Sequence, residues 1–318
     1  MTAITGQIAV CRRPGEVGVH SLDHFALVTP EVAKAEAFYS AFGLETRQAG
    51  GQLELRVADT AHCWGRIAEA PRKKLHYISF AAFAEDMPAF RARLDSLGVE
   101  RLSAPPGFES NGIWFRDPDN LMLEIRAAEK TSPFAKAPFE CRSSGPNERG
   151  ARPRKSTPAV RPKRFSHLAI YARDVERSAD FYVRTLGLRL ADRAADIIAF
   201  CHGIHGSDHH MIAFVKSDGP GLHHSSWDMG SIAGIGVGAM QMAGKGYERG
   251  WGLGRHVLGS NYFHYVRDPW GSFAEYTADM DYVPVDEDWV PGIHDAEDSF
   301  YLWANAPPDD FARNYEIE

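Results

Sequence analysis

Cysteine is scarce in this chain. Its four residues, Cys11, Cys63, Cys141 and Cys201, lie far apart and form no CxxC pair. That excludes a disulfide framework and zinc-ligand spacing, and reads as the reduced thiols of a cytoplasmic protein. Long apolar runs are missing too. No stretch approaches the roughly 18–20 residues of a membrane span, and residues 1–19 have no apolar core of secretion-signal length. Nor is there an excess of basic charge. Lys+Arg 35 against Asp+Glu 42 leaves a net charge of −7, so neither a nucleic acid nor an anionic membrane is an expected partner. What the chain does have is 44% hydrophobic and 11% aromatic residues in a length of 318, enough for two buried cores. It also has 14 histidines, eight of them between His202 and His264. Histidine is both the acid/base of neutral pH and the commonest metal ligand, so that density needs a reason.

An internal repeat organises the rest. His24-Phe25-Ala26-Leu27-Val28 reads as a short strand, followed by a helix over 30–42 that ends at Gly43-Leu44. The same phrase returns as His167-Leu168-Ala169-Ile170-Tyr171, a helix from Val175 to Leu186, then Gly187-Leu188. A glycine after each helix is a C-cap signal. Arg116-Asp117-Pro118 leading to Glu124 is matched by Arg267-Asp268-Pro269 leading to Glu275, each Asp-Pro marking a turn between strands. Each copy is itself double: strands at 75–81 and 222–229 are each followed by a helical stretch, 86–97 and 231–244. The expectation is an α+β protein of four βαβββ modules paired into two homologous domains. These domains cover 20–130 and 164–282. They are joined by a Pro-, Ser- and basic-rich linker over 131–163 that reads as partly disordered. A tail precedes them (1–19), and an acidic extension over 283–318 follows. The aromatics of that extension, Trp289, Phe300, Tyr301, Trp303 and Phe311, suggest that it packs on a domain.

Four such modules, with His on the first strand of a copy, His on a central strand and Glu on the last, resemble the vicinal oxygen chelate superfamily. Within it the chain resembles the two-domain type I extradiol catechol dioxygenases. The resemblance implies a 2-His-1-carboxylate site made by His167, one of the pair His223-His224, and Glu275. Such a site leaves three open positions on iron(II), with manganese(II) the alternative. Alternation along a strand separates the pair. His223 shares parity with Ser225, Trp227 and Met229, and is expected on the helix-covered face. His224 shares parity with Ser226 and Asp228, and is expected in the pocket. The resemblance further implies that His210 is the acid/base, and that His256 and Tyr265 are hydrogen-bonding residues of the pocket and contact the substrate. Arg255, beside His256, and the nearby Arg249 are candidates for a substrate carboxylate or are solvated loop residues. The glycine-rich segment 247–258 reads as a mobile lid or a pocket wall.

In the first copy His24 and Glu124 stand where ligands would, but Tyr77 stands at the position of His224. His76 is expected on the helix-covered face with Ile78 and Phe80. Trp114 replaces Tyr265, nothing matches His256, and His62 falls near the place of His210. This copy is expected to be structural. The implied activity is ring cleavage of a substituted catechol beside its two hydroxyls. Both atoms of O₂ enter a semialdehyde or keto-acid product, in aromatic-compound degradation by a cytoplasmic homo-oligomer. The alternatives are a glyoxalase-type metalloenzyme and a non-catalytic protein that binds a flat aromatic ligand.

Overall fold

A computed structural model describes residues 12–141 and 143–317. Cys11 and most of the tail over 1–19 lie outside them; Cys63, Cys141 and Cys201 are free thiols. The first half runs β1 (Ser21–Thr29), α1 (Val32–Phe42), β2 (Glu45–Ala49), β3 (Gln52–Arg56), β4 (Cys63–Glu69), β5 (Lys74–Ala82), α2 (Met87–Ser96), β6 (Ile113–Arg116) and β7 (Met122–Ala127). The second runs β8 (Arg164–Ala172), α3 (Val175–Leu186), β9 (Arg189–Ala194), β10 (Ile198–His202), β11 (Ser207–Asp208), β12 (Ile212–Lys216), β13 (Gly221–Asp228), α4 (Ile232–Ala243), β14 (Gly250–Arg255), β15 (Tyr262–Arg267) and β16 (Phe273–Ala278). The extension adds β17 (Tyr282–Val283), β18 (Gly292–His294) and α5 (Ala296–Ser299).

Two repeated glyoxalase-type units of mixed α and β structure result. Their sheets have orders β2-β3-β4-β1-β5-β7-β6 and β14-β15-β16-β13-β8-β12-β10-β9-β18. In each, the opening strands of the two modules pair antiparallel at the centre, β1 with β5 and β8 with β13, and each is flanked by a parallel partner. The second module departs from the expected pattern. Its strand after α2 shrinks to one bridge, Leu102 to Trp114, because Pro105-Pro106 removes two amide donors just beyond it. Gly43 (φ 101°) and Gly187 (φ 74°) end α1 and α3 in the left-handed region that a Cβ disfavours.

One face of each sheet enters a common apolar core. Phe25 and Leu27 of β1 join Leu168 and Ile170 of β8 there, and Phe42 of α1 stacks on Tyr276 of β16 at 3.9 Å. The opposite faces carry separate clusters, Ala26–Tyr77–Phe108–Trp114 in the first half and Ala169–Tyr171–Ala213–Val215 in the second.

The first ten residues of the linker are strapped to both halves. Thr131 and Ser132 hydroxyls donate to the Leu22 and His20 carbonyls, the Glu140 amide donates to Gly230, and Phe139 stacks on Tyr262 at 5.6 Å. Half of segment 247–258 is β14, an edge strand paired with β15, so it is a wall and not a lid. The extension packs as its aromatics suggested. β18 adds to β9, and near the end Glu316 forms a buried ion pair with Lys73 while accepting the Leu75 and Leu222 amides. One carboxylate thereby ties the extension to the start of both central strands. No helix among the described residues is long and apolar enough to cross a membrane.

Candidate metal centre and active site

His167 on β8, His224 on β13 and Glu275 on β16 converge at the second sheet's centre, on the face opposite the common core. His167 Nε2 lies 3.1 Å from His224 Nε2 and 3.2 Å from Glu275 Oε2, and His224 Nε2 is 3.5 Å from the same oxygen. All three are buried, and among the described residues they are the one group of this kind whose ligand atoms lie within 4.8 Å of one another. Glu275 Oε2 has no hydrogen-bond partner. A buried carboxylate oxygen without a donor is costly. Two imidazole nitrogens and that oxygen, all aimed at one point, form the donor set a divalent first-row metal takes up. The residues therefore fit a metal ion.

Register explains the convergence and corrects one expectation. β13 and β8 pair Leu222 with Ile170 and His224 with Ala169, leaving His223 as an extra residue. This bulge breaks the alternation on which the parity argument rested. His223 is therefore not on the helix-covered face. Its ring packs on Tyr171 (5.3 Å), Phe273 (5.7 Å) and Phe311 (4.8 Å), and it lines the same cavity as His224. His223 Nδ1 sits 2.7 Å from His224 Nδ1, and burial pushes its pKa down to about 3. A neutral His223 with a bare Nδ1 can accept His224 Nδ1–H, which frees His224 Nε2 for a metal. The first half repeats the device. β1 and β5 pair Ala26 with Tyr77 and Leu27 with Leu75, so His76 is the bulged residue. It contacts Phe108 at 5.1 Å on the cluster face, not Ile78 and Phe80 as expected.

The remaining candidates fall into two groups. His210, His256 and Tyr265 line the cavity. His210 is 4.2 Å from the His167 ring, and burial with the neighbouring histidines holds it well below its ordinary pKa. His256 Nδ1–H donates to the Phe300 carbonyl (2.8 Å), so its Nε2 accepts the Tyr265 hydroxyl (2.9 Å). Burial, then Glu275, raise the Tyr265 pKa well above 10, so the phenol stays a donor. Arg255 does not belong with them. Its guanidinium donates to the Ser260 carbonyl and the Tyr262 hydroxyl and lies over the Tyr262 ring at 4.6 Å, and it does not line the cavity. Arg249 is exposed and reaches Asp310.

The cavity measures about 470 Å³. Ile197, Ile198, Phe200, Ala213 and Val215 form one wall, and the extension roofs it with Phe300, Pro307, Pro308 and Phe311. Among the described residues no Lys or Arg lines it; its carboxylates are Glu275 and Asp309. Sequence reasoning placed the extension on a domain but not over the site. It also missed Asn261, whose amide donates to Glu275 Oε1 (3.3 Å) and Thr277 (2.8 Å). Asn261 carries no local signal; the pairing of β15 with β16 brings it to Glu275.

The sequence matches the model of the family described as Glyoxalase/Bleomycin resistance protein/Dioxygenase superfamily over residues 21–125 and 164–276. It is 46% identical over 298 residues to metapyrocatechase 2 of Cupriavidus necator, covering 94% of this chain and 93% of that protein. Two solved structures share the fold. One is a Mn(II)-bound glyoxalase from Novosphingobium aromaticivorans (TM-score 0.72, 24% identity, 92% of this chain and 93% of that one). The other is an extradiol ring-cleaving dioxygenase from B. fuscum (TM-score 0.73, 21% identity, 95% of this chain and 84% of that one).

Proposed function

Because this chain belongs to the glyoxalase/bleomycin resistance protein/dioxygenase superfamily, we propose that it is an extradiol dioxygenase cleaving catechols that carry an uncharged, apolar substituent. The similarity to metapyrocatechase 2 supports the reaction class. One observation carries the site assignment: the buried His167–His224–Glu275 group opens onto a cavity that also receives His210, His256 and Tyr265.

His167, His224 and Glu275 would hold iron(II), or manganese(II), and the bound ion supplies Lewis acidity toward both catechol oxygens and an electron path from ring to O₂. The chain's own residues handle position and protons. The Tyr265 hydroxyl and the His256 ring, fixed through Phe300, hold the substrate oxygens in line. His210, neutral at pH 7, takes a hydroxyl proton at Nε2 and returns it during ring opening. The apolar walls select the substituent. A carboxylate would find no cationic side chain among the described residues of the cavity and would meet Asp309 at its rim.

Oxygen uptake by iron(II)-loaded protein across plain, alkyl, aryl and carboxylated catechols tests this. Alkyl or aryl catechols should exceed carboxylated ones in kcat/KM by about 10-fold or more, as expected when a charge enters a site without a partner. Preference for a carboxylated catechol would refute the substrate class, and no uptake with any catechol would refute the activity.

A further inference from the structure

Beside the metal centre lies a chain of groups that the mechanism above does not use. His209 is completely buried, and its Nδ1 lies 3.1 Å from His210 Nδ1 while its Nε2 lies 2.8 Å from Asp192 Oδ2. Asp192 accepts three more hydrogen bonds, all from the C-terminal extension: the Gly292 amide (2.8 Å), the Trp289 indole (3.2 Å) and His294 Nε2 (2.8 Å). Burial alone would raise the Asp192 pKa, but the bonds from His209, His294 and Gly292 outweigh it and hold the carboxyl below its usual range. The Trp289 ring closes the other side of His209 at 5.0 Å.

We infer that His209, anchored by Asp192, is a positioning residue that fixes the orientation and tautomer of His210. The assignment follows from donors and acceptors. An ionised Asp192 only accepts, so His209 Nε2 carries a proton. The other nitrogen of that tautomer, Nδ1, is bare and faces His210 Nδ1 at 3.1 Å, so His210 Nδ1–H satisfies it. That leaves His210 Nε2, on the opposite edge of the ring, bare toward the cavity. When Nε2 takes the substrate proton, the cation already has its Nδ1–H bonded, and a carboxylate stands behind it. Aspartate plays the same part toward histidine in a Ser-His-Asp triad. The extension therefore does more than roof the cavity, because it supplies three of the four donors that keep Asp192 charged and fixed.

The inference rests on the reading of His210 as the proton-handling residue, and the test separates the two. His209→Phe removes the acceptor. His209→Asn keeps an oxygen near the place of Nδ1. Asp192→Asn offers an amide donor to His209 Nε2, inverting the tautomers of His209 and His210. Expected are kcat losses of about 10- to 100-fold for His209→Phe and Asp192→Asn, with catechol KM and metal content within about twofold of native, and recovery to within a few-fold in His209→Asn. In zinc-loaded, ¹⁵N-histidine-labelled protein, the His210 proton should move from Nδ1 in native protein to Nε2 in Asp192→Asn. Native kcat in His209→Phe and Asp192→Asn overturns the inference, as does an unmoved His210 proton. His210→Phe is the control. If it is inactive while the other variants are untouched, only the inference falls. If it turns over normally, the reading of His210 falls and takes the inference with it.

Discussion

The two halves of this molecule share a sheet order, two bulges and a His…Glu frame, yet their central faces are built for opposite ends. In the second half, His167, His224 and Glu275 converge, and Glu275 Oε2 has no donor. The equivalent group in the first half is His24, Tyr77 and Glu124, and each member is satisfied by local partners. The Tyr77 hydroxyl lies 2.7 Å from His24 Nε2, the atom that would face a metal. Both Glu124 oxygens are taken, Oε2 by the Ser79 hydroxyl and Oε1 by that of Ser110. Phe108 and Trp114 pack on the Tyr77 ring at 5.2 and 4.9 Å, filling the space that is cavity in the other half. His62 turns away, its Nε2 on the Asp23 carbonyl. A metal site thus requires unsatisfied donors facing open volume, not merely ligand-type residues in the right order.

The largest expected contrast is between the two glutamates. Glu275→Ala should lose bound metal and lower ring cleavage by about 10³-fold or more, since the ion carries most of the charge stabilisation. Glu124→Ala should leave metal content and kcat near native and lower only Tm, by opening a small void and orphaning two serine hydroxyls. Equal metal loss in both would erase the distinction. An intermediate test restores the missing histidine. Tyr77→His alone should leave metal near one equivalent per chain, because Glu124 stays committed to Ser79 and Ser110. A second tightly held equivalent would show that one residue, not the surrounding hydrogen bonds, separates the halves.

The smallest effect spans both halves. Burial lowers the pKa values of His20, His202, His205 and His264 to about 4. Unfolded histidines titrate near 6.5, so the unfolded state binds more protons below that pH. The stability these neutral rings contribute is intact above about 6.5 and is lost as the pH falls toward 4. Metal-free protein should show Tm falling several degrees between pH 7 and pH 5; a flat profile would mean the rings are not held neutral.

These rings also resolve part of the histidine excess. His202 Nδ1–H donates to the Gly203 carbonyl and His205 Nδ1 accepts the Arg13 amide, so both are structural. What could be read from the chain was whatever is written locally. The repeated phrases located the strands, Gly43 and Gly187 marked helix ends, and the resemblance pointed to His167, Glu275 and one of the pair His223-His224. What could not be read depends on pairing between distant segments. A bulge at His223 or His76 is a property of two strands in register, and a single strand's alternation cannot reveal it. Arg255 looked available beside His256 until Tyr262, nearby in sequence but across the strand, took its guanidinium. Phe311 reaches the site only because the extension folds back over it.

The central claim is that the second half alone binds the catalytic metal. Anomalous diffraction at the iron edge, from crystals of protein loaded anaerobically with iron(II), tests it most directly. A single peak among His167 Nε2, His224 Nε2 and Glu275 Oε2 is expected. A peak between His24 and Glu124, or none at the second-half group, would contradict it.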